Sequence, residues 1–317
     1  HMPIKKSLSK PAKRVIRQLQ EAGYDAYVVG GAVRDLMIGI EPKDYDVATD
    51  ATPEQVKSVF KRQARIIGRR FKLAHVYADG ELIEVSTFRR EPDMNERKGR
   101  EEDDGLIVWR DNEYGTLEDD ARRRDFTVNA VYFDPVCDEG RLVDYVNGIA
   151  DLENGVVRTI GDPAVRMAED PVRMLRACKL VGQYGFTVEP ELAKVIREKA
   201  EMLQLSSRAR LLEELFKIIR KPHMRDTLAA CQEFGLLQYF MPMLSKGWDE
   251  PSGQLCQQML QIRDEGLATG TIFPSRVTGL AIAMLPFVAD AFGKGQHLEA
   301  LWENFFGVNK VIRHEIR

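Results

Sequence analysis

Apolar positions in the first third of the chain alternate between helical and strand spacing. Val15 and Leu19 follow Ser9-Lys10-Pro11 and precede Gly23, which predicts a first amphipathic helix with a cap, an early proline and a glycine stop. The run over 24–29 is apolar and of strand length, so it predicts a buried strand. Gly30-Gly31 then turns the chain into a short helix over 32–37, and a second strand follows at 46–49. Thr52-Pro53-Glu54 opens another helix that runs through about Phe60. Two strand-patterned runs, 73–77 and 82–88, are joined by Ala78-Asp79-Gly80, a turn with hairpin chemistry. The pattern predicts a mixed α/β unit.

Between Arg90 and Gly105 the residues are nearly all charged or polar and include Glu101-Glu102-Asp103-Asp104. Such a stretch has little apolar surface to offset its ordering entropy, so it is expected to be a mobile loop. Beyond Asp151 the strand pattern fades, apart from 156–160, and helical periodicity takes over at 162–184, 189–203, 208–220 and 222–235. The remainder, 248–317, is apolar-rich and expected to be helical. No strict repeat is visible. An α/β head on an all-helical remainder is the simplest architecture.

A chain of 317 residues, 44% hydrophobic and 30% charged, can bury a sizeable core in two or three domains. Its net charge of −3 excludes a global basic field, so any nucleic-acid surface has to be a local patch. Cys137, Cys178, Cys231 and Cys256 are scattered without a CxxC pair, which favours free thiols in a reducing compartment over disulfides or zinc. No apolar run approaches the roughly 18 residues of a membrane helix. The expectation is a cytoplasmic monomer with no membrane partner.

The densest chemistry lies in Val29-Gly30-Gly31-Ala32-Val33-Arg34-Asp35 and the following Lys43-Asp44-Tyr45-Asp46-Val47. Asp44 and Asp46, two residues apart on an extended segment, point to one face. That is the spacing for holding hard divalent cations. Glu84, inside Leu82-Ile83-Glu84-Val85-Ser86, is a candidate third carboxylate. Convergent acids repel one another without a counter-ion, and two magnesium ions, or manganese as a substitute, would relieve that repulsion. An Asp-x-Asp alone is as readily a turn and strand end. Gly30-Gly31 between a strand and a helix is a candidate phosphate site, and Arg34 can reach a phosphate or pair with Asp35.

Two later segments add to this set. In Arg122-Arg123-Arg124-Asp125-Phe126-Thr127-Val128-Asn129, Asp125 and Asn129 would share one face if helical and could bind ribose hydroxyls; the arginines, Arg124 among them, are nucleotide-binding candidates or a solvated helix face. In Glu169-Asp170-Pro171-Val172-Arg173-Met174-Leu175-Arg176, Asp170 is a candidate helix cap, with Arg173 and Arg176 following at steps of three. Asp170 and Arg173 could read a base edge; the alternative is capping with ion pairs.

Taken in order, Val-Gly-Gly-x-Val-Arg-Asp, Asp-Tyr-Asp, Arg-Arg-Asp-Phe-Thr-x-Asn-Ala and Glu-Asp-x-x-Arg resemble the class II nucleotidyltransferases, the family of bacterial poly(A) polymerases and tRNA CCA-adding enzymes. The resemblance covers about residues 15–235. Gly68-Arg69-Arg70-Phe71-Lys72-Leu73-Ala74-His75-Val76 and the stretch from Arg110 to Asp125 are similar to the poly(A) polymerase branch. The resemblance implies an α/β nucleotidyltransferase head over 24–150, after an N-terminal segment and helix over 1–23. An all-α nucleotide-selecting neck over 151–220 and an all-α RNA-binding body over 221–317 would follow.

It also implies roles. Asp44 and Asp46 match the metal-binding pair and Glu84 a third acidic position, while Asp125 and Asn129 match ribose or triphosphate contacts. Asp170 and Arg173 match the base-reading pair. Ala177-Cys178-Lys179-Leu180 departs from the more usual Arg-Phe ending of that motif. Members of the poly(A) branch often carry a long basic C-terminal extension. This sequence stops at Arg317, so either a longer protein carries that extension or RNA is held otherwise. Arg208, Arg210, Lys217, Arg220, Lys221 and Arg225 offer a local basic track for RNA or, equally, the solvated faces of amphipathic helices. The implied activity is template-independent addition of AMP from ATP to RNA 3′ ends, the alternative being CCA, A or CC addition to tRNA.

Overall fold

The computed structural model describes residues 4–69, 71–91 and 113–293. Most of the charged stretch over 90–105, the start of the branch-like segment at 110–112 and the tail from 294 lie outside the described residues. The chain divides into two compact units, His1–Gly161 and Asp162–Arg317.

The first unit is built on a seven-stranded sheet. Its strands are β1 (Ala26–Val29), β2 (Tyr45–Thr49), β3 (Ala64–Ile67), β4 (Leu73–Ala78), β5 (Glu81–Thr87), β6 (Val131–Asp134) and β7 (Arg141–Asp144), in the spatial order β3-β4-β5-β2-β1-β6-β7. All neighbouring pairs are antiparallel except β2 with β5, which run parallel. Every residue of β1 and β6 is buried, as expected for central strands covered on both faces. Helix α1 (Lys10–Glu21) begins at Ser9, whose hydroxyl accepts from the Ala12 N–H, and buries Ala12, Val15, Ile16 and Leu19. Helix α2 (Gly31–Met37) follows β1, and α3 (Pro53–Phe60) starts with a Thr52/Gln55 capping box. Helices α4 (Leu117–Arg122) and α5 (Gly148–Asn154) follow, and a single helical turn at Ile4–Ser7 precedes α1. The β4–β5 hairpin turns through Asp79 and Gly80, both at positive φ, as its Ala-Asp-Gly sequence predicts.

Three strands are absent from the expectation. β3 and β7 are sheet edges whose outward residues do not alternate, Ile66 and Ile67 both being exposed, so the period-two signal is missing. β6 lies directly after the Thr127–Asn129 turn of 3-10 helix and is too short to show a period. The expected strand at 156–160 contracts to Val156–Val157, with Thr159 forming an isolated bridge to Phe126.

The second unit contains, among the described residues, helices α6 (Pro163–Glu169), α7 (Val172–Tyr184), α8 (Pro190–Lys199), α9 (Arg208–Arg220), α10 (Met224–Glu233), α11 (Pro242–Lys246), α12 (Pro251–Thr269) and α13 (Arg276–Gly293). The periodicity over 162–184 reads as one helix while the cap reading of Asp170 starts a helix within it, and two helices are found. Pro171 disfavours the helical conformation of the residue before it, and Asp170 adopts φ −148° and ψ 89°. Helices α7 and α10 pack closely because Gly182 has no side chain: a Cβ there would lie 2.3 Å from the Thr227 hydroxyl oxygen. Arg263 of α12 is buried at 2% exposure, where it pairs with Asp264 at 2.7 Å and donates to the carbonyls of Ile219 and Lys221.

Candidate active site

Asp46 is the one exposed residue of β2, flanked by buried Tyr45 and Val47. Its register partners are Val29 on β1 and Glu84 on β5, and Glu84 in turn faces His75 on β4. Paired positions share a face, so Asp46, Glu84 and His75 form a polar row across the sheet. The Glu84 carboxylate lies 3.9 Å from His75 Nε2. Asp44 precedes the strand two residues before Asp46 and is exposed. Protein packed around Asp46 pushes its carboxyl up to about 6, with the charge of Glu84 and then of Asp44 acting in the same direction and Arg124 opposing them.

Gly30 carries the chain from β1 into α2 at φ +77°, a conformation that side-chain-bearing residues rarely adopt. A Cβ at Gly30 would lie 3.9 Å from Arg124 Nη1 and 4.0 Å from Asp46 Oδ2. The glycine therefore leaves open a space that both a guanidinium and a carboxylate approach. At Gly31, a Cβ would come within 3.0 Å of Arg34 Nη2, so the second glycine lets Arg34 fold back over the turn. Arg34 donates from Nε to Asp35 at 3.1 Å and from Nη1 to Asn129 Oδ1 at 2.8 Å. Asn129 Nδ2 donates to Asp125 Oδ1 at 3.4 Å. Asp125 and Asn129 do meet, but through the 3-10 turn and not an α-helix.

The arginine run is organised by a residue the sequence reading missed. Asp120, completely buried, accepts from the Arg89 N–H (3.1 Å) and from Arg123 Nη2 (2.9 Å) on Oδ1. Its Oδ2 accepts from Arg124 Nη2 (3.1 Å), Arg124 Nε (3.3 Å) and the Tyr132 hydroxyl (2.5 Å). Burial alone would raise the Asp120 carboxyl, but the Arg124 and Arg123 guanidiniums outweigh it and hold the carboxyl below its ordinary value. A signal was available: Asp120 stands three and four residues before Arg123 and Arg124, the spacing at which helical side chains pair.

In the second unit, Asp170 does not cap α7, which has no side-chain cap; Pro171 occupies that position. The Asp170 carboxylate instead pairs with Arg210 at 2.7 Å. Arg173 donates to Glu169 at 3.3 Å and to the Arg166 carbonyl at 2.9 Å. Arg176 follows on α7, one position along the sequence from buried Leu175. Of the basic track, Lys217 pairs with Glu213 and Glu214, and Arg225 with Asp226. Arg208, Arg220 and Lys221 are exposed on and just beyond α9 and form no ion pair among the described residues.

No group of three or more His, Cys, Asp or Glu among the described residues gathers closely enough to enclose a metal ion. The four cysteines are free thiols. Asp44 and Asp46 nevertheless fit a divalent cation. They are hard oxygen donors, and although burial is the main reason the Asp46 carboxyl is raised, the charges of Glu84 and Asp44 add to it and are what a cation would offset. No described helix is long and apolar enough to cross a membrane.

Residues 26–158 match the family model of the poly A polymerase head domain, and residues 185–247 match the model described as a probable RNA and SrmB-binding site of polymerase A. The poly(A) polymerase I of Haemophilus influenzae is 41% identical over 257 residues, covering 80% of this chain and 56% of that protein. A CCA-adding enzyme of Geobacillus is 36% identical over 242 residues, covering 76% of this chain and 55% of that protein. The chain thus spans little more than half the length of the curated relatives it matches. Among solved structures, the Bacillus stearothermophilus CCA-adding enzyme in complex with CTP aligns with a TM-score of 0.62 at 30% identity, covering 80% of this chain and 58% of that one. A tRNA nucleotidyltransferase complexed with a primer tRNA and an incoming ATP analog shares the fold, with a TM-score of 0.66 at 23% identity, over 92% of this chain and 79% of that one.

Proposed function

The chain belongs to the nucleotidyltransferase family that carries the poly A polymerase head domain, and on that premise we propose that it adds AMP from ATP to RNA 3′-hydroxyls without a template, releasing pyrophosphate. The observation that carries this reading is the recess over Gly30, where Arg124 Nη1 and Asp46 Oδ2 each lie within about 4 Å of one point. A bare backbone, a guanidinium and a carboxylate around one space suit a triphosphate that approaches with its counter-ions.

Each group then has a task. Asp44 and Asp46 hold the divalent cations, two magnesium ions or manganese in their place, with Glu84 adding charge from the neighbouring strand. Such cations, when bound, polarise the α-phosphate, lower the pKa of the attacking hydroxyl and neutralise the departing pyrophosphate. Gly30 and Gly31 admit the phosphates to the backbone, and Arg124 and Arg34 supply positive charge. Asn129, held by Arg34 and Asp125, orients the ribose. Asp170, Arg173 and Arg176 select the base, and Arg208, Arg220 and Lys221 meet the RNA backbone, with Arg210, Lys217 and Arg225 contributing in proportion as their ion pairs open.

The likeness to CCA-adding enzymes supports a second reading, addition of one to three nucleotides to tRNA. Incorporation from each single labelled NTP, on an oligo(A) primer and on a tRNA ending before its CCA, separates the two. Long ATP-only tails on both substrates are expected. Short addition confined to the tRNA would replace the first reading with the second.

A further inference from the structure

Arg124 stands between two carboxylates with competing claims. Asp46, four ångströms from the point over Gly30 that Arg124 Nη1 also approaches, is the nearer to solvent. Asp120 is buried behind it. An unrestrained arginine would swing towards Asp46, filling the recess and cancelling the charge that a cation needs. The structure shows what prevents this. Nε and Nη2, two donors on one edge of the guanidinium, are taken by Asp120 Oδ2. Nε also donates to the Tyr132 hydroxyl at 3.1 Å, and that hydroxyl donates in turn to Asp120 Oδ2 at 2.5 Å. The Tyr132 ring lies under the guanidinium, 5.6 Å from Cζ to centroid. Asp120 and Tyr132 are both fully buried, on a helix and on a central strand, so neither can follow the arginine if it moves.

We propose that Asp120 and Tyr132 form a buried clamp that fixes one edge of Arg124 and thereby aims its Nη1 into the recess over Gly30 as a binding group for the nucleotide's phosphates. Both are positioning residues that act through Arg124 and touch no substrate. The inference rests on the reading that this recess takes a triphosphate.

The test uses tripolyphosphate, which has the phosphates of ATP but neither base nor ribose, with affinity measured by calorimetry on the full chain. Tyr132→Phe keeps the ring and removes one oxygen, and is expected to weaken tripolyphosphate binding and raise the KM for ATP by the same factor, about 3- to 10-fold. The Kd for an oligo(A) primer is expected to stay as in wild type, and kcat at saturating ATP to change little. Asp120→Asn is expected to lose at least as much. In an Arg124→Ala background neither change should weaken binding further. Wild-type affinity in both variants, or full additivity with Arg124→Ala, overturns the clamp. A wild-type protein that binds no tripolyphosphate, or binds it equally well as Arg124→Ala, overturns the phosphate reading of the recess and the clamp with it. Should Asp120→Asn fail to fold, Tyr132→Phe alone decides.

Discussion

Arg34 donates to Asn129 Oδ1 at 2.8 Å, joining the helix after the glycine turn to the short turn before β6. Each residue has a second partner, Asp35 for the arginine and Asp125 for the asparagine, but only their mutual bond ties the two segments together, and the arginine lies across Gly31 by virtue of the missing Cβ. Arg34→Ala and Asn129→Ala are each expected to lower kcat/KM for ATP about 10- to 100-fold, the range for losing a charge-assisted hydrogen bond. The double variant should lose little more than the worse single one. Steady-state kinetics on the four proteins of this cycle check it, and fully additive losses would show that the two residues act separately.

Replacing both Asp44 and Asp46 by alanine removes the paired donors without touching the described basic residues of the second unit. Nucleotide incorporation is expected to fall to background while the Kd for an oligo(A) primer stays within about 2-fold of wild type. Filter binding and primer extension on the same preparation separate these effects. Retained incorporation would exclude the pair as the cation site.

Acid should stabilise the Asp46 region relative to neutral pH. The folded-state value of about 6 lies above the ordinary carboxylate value of 3.8, so the native state binds the proton more tightly than the unfolded chain does. Stability contributed by this group therefore falls as pH rises from about 4 to about 6. Asp46→Asn is expected to match the wild-type Tm near pH 4 and exceed it at pH 7.5 in metal-free buffer. Thermal melts across that range check the sign, and added magnesium should narrow the gap by binding only the wild type.

Arg210 was expected to lie on the RNA track, yet it grips Asp170, the residue proposed to read the base. Arg210→Ala is accordingly expected to alter discrimination between ATP and CTP more than affinity for the primer. Arg173→Ala should relax discrimination as well, since it loses the guanidinium anchored on Glu169. The ratio of kcat/KM values for the four NTPs is the readout. Unchanged ratios in both variants would remove this pair from nucleotide selection.

Features written in local chemistry were legible in the sequence. Ser9, Thr52 and Asp162 all cap helices as their spacing to proline predicts, and Gly30 takes the positive φ that its position between strand and helix requires. Of the Asp44-Tyr45-Asp46 segment, Asp46 is the exposed position of β2 and Asp44 lies just before the strand. What escaped depends on partners far along the chain. Asp120 has helical spacing to Arg123 and Arg124, but Glu118 has the same spacing to Arg122, and burial against Tyr132 and the Arg89 backbone is what singles Asp120 out. The helix start after Asp170 was legible from the Asp170-Pro171 pair, although apolar spacing continuous across it read as one helix and the cap itself is Pro171. β3 and β7 are four-residue sheet edges with almost no buried position, so neither face is covered enough to impose an alternation.

The single parallel pair of the sheet sets when the acidic row can exist. β4 and β5 form a hairpin through a two-residue turn, a local event, whereas β5 reaches β2 only after the intervening helix and strands have folded back across the sheet. Asp46 and Glu84 become neighbours at that docking step and not before. Their mutual repulsion opposes that pairing, so the charge that equips the site also weakens the strand contact that assembles it, and a divalent cation bound there would tighten the sheet at its one parallel seam.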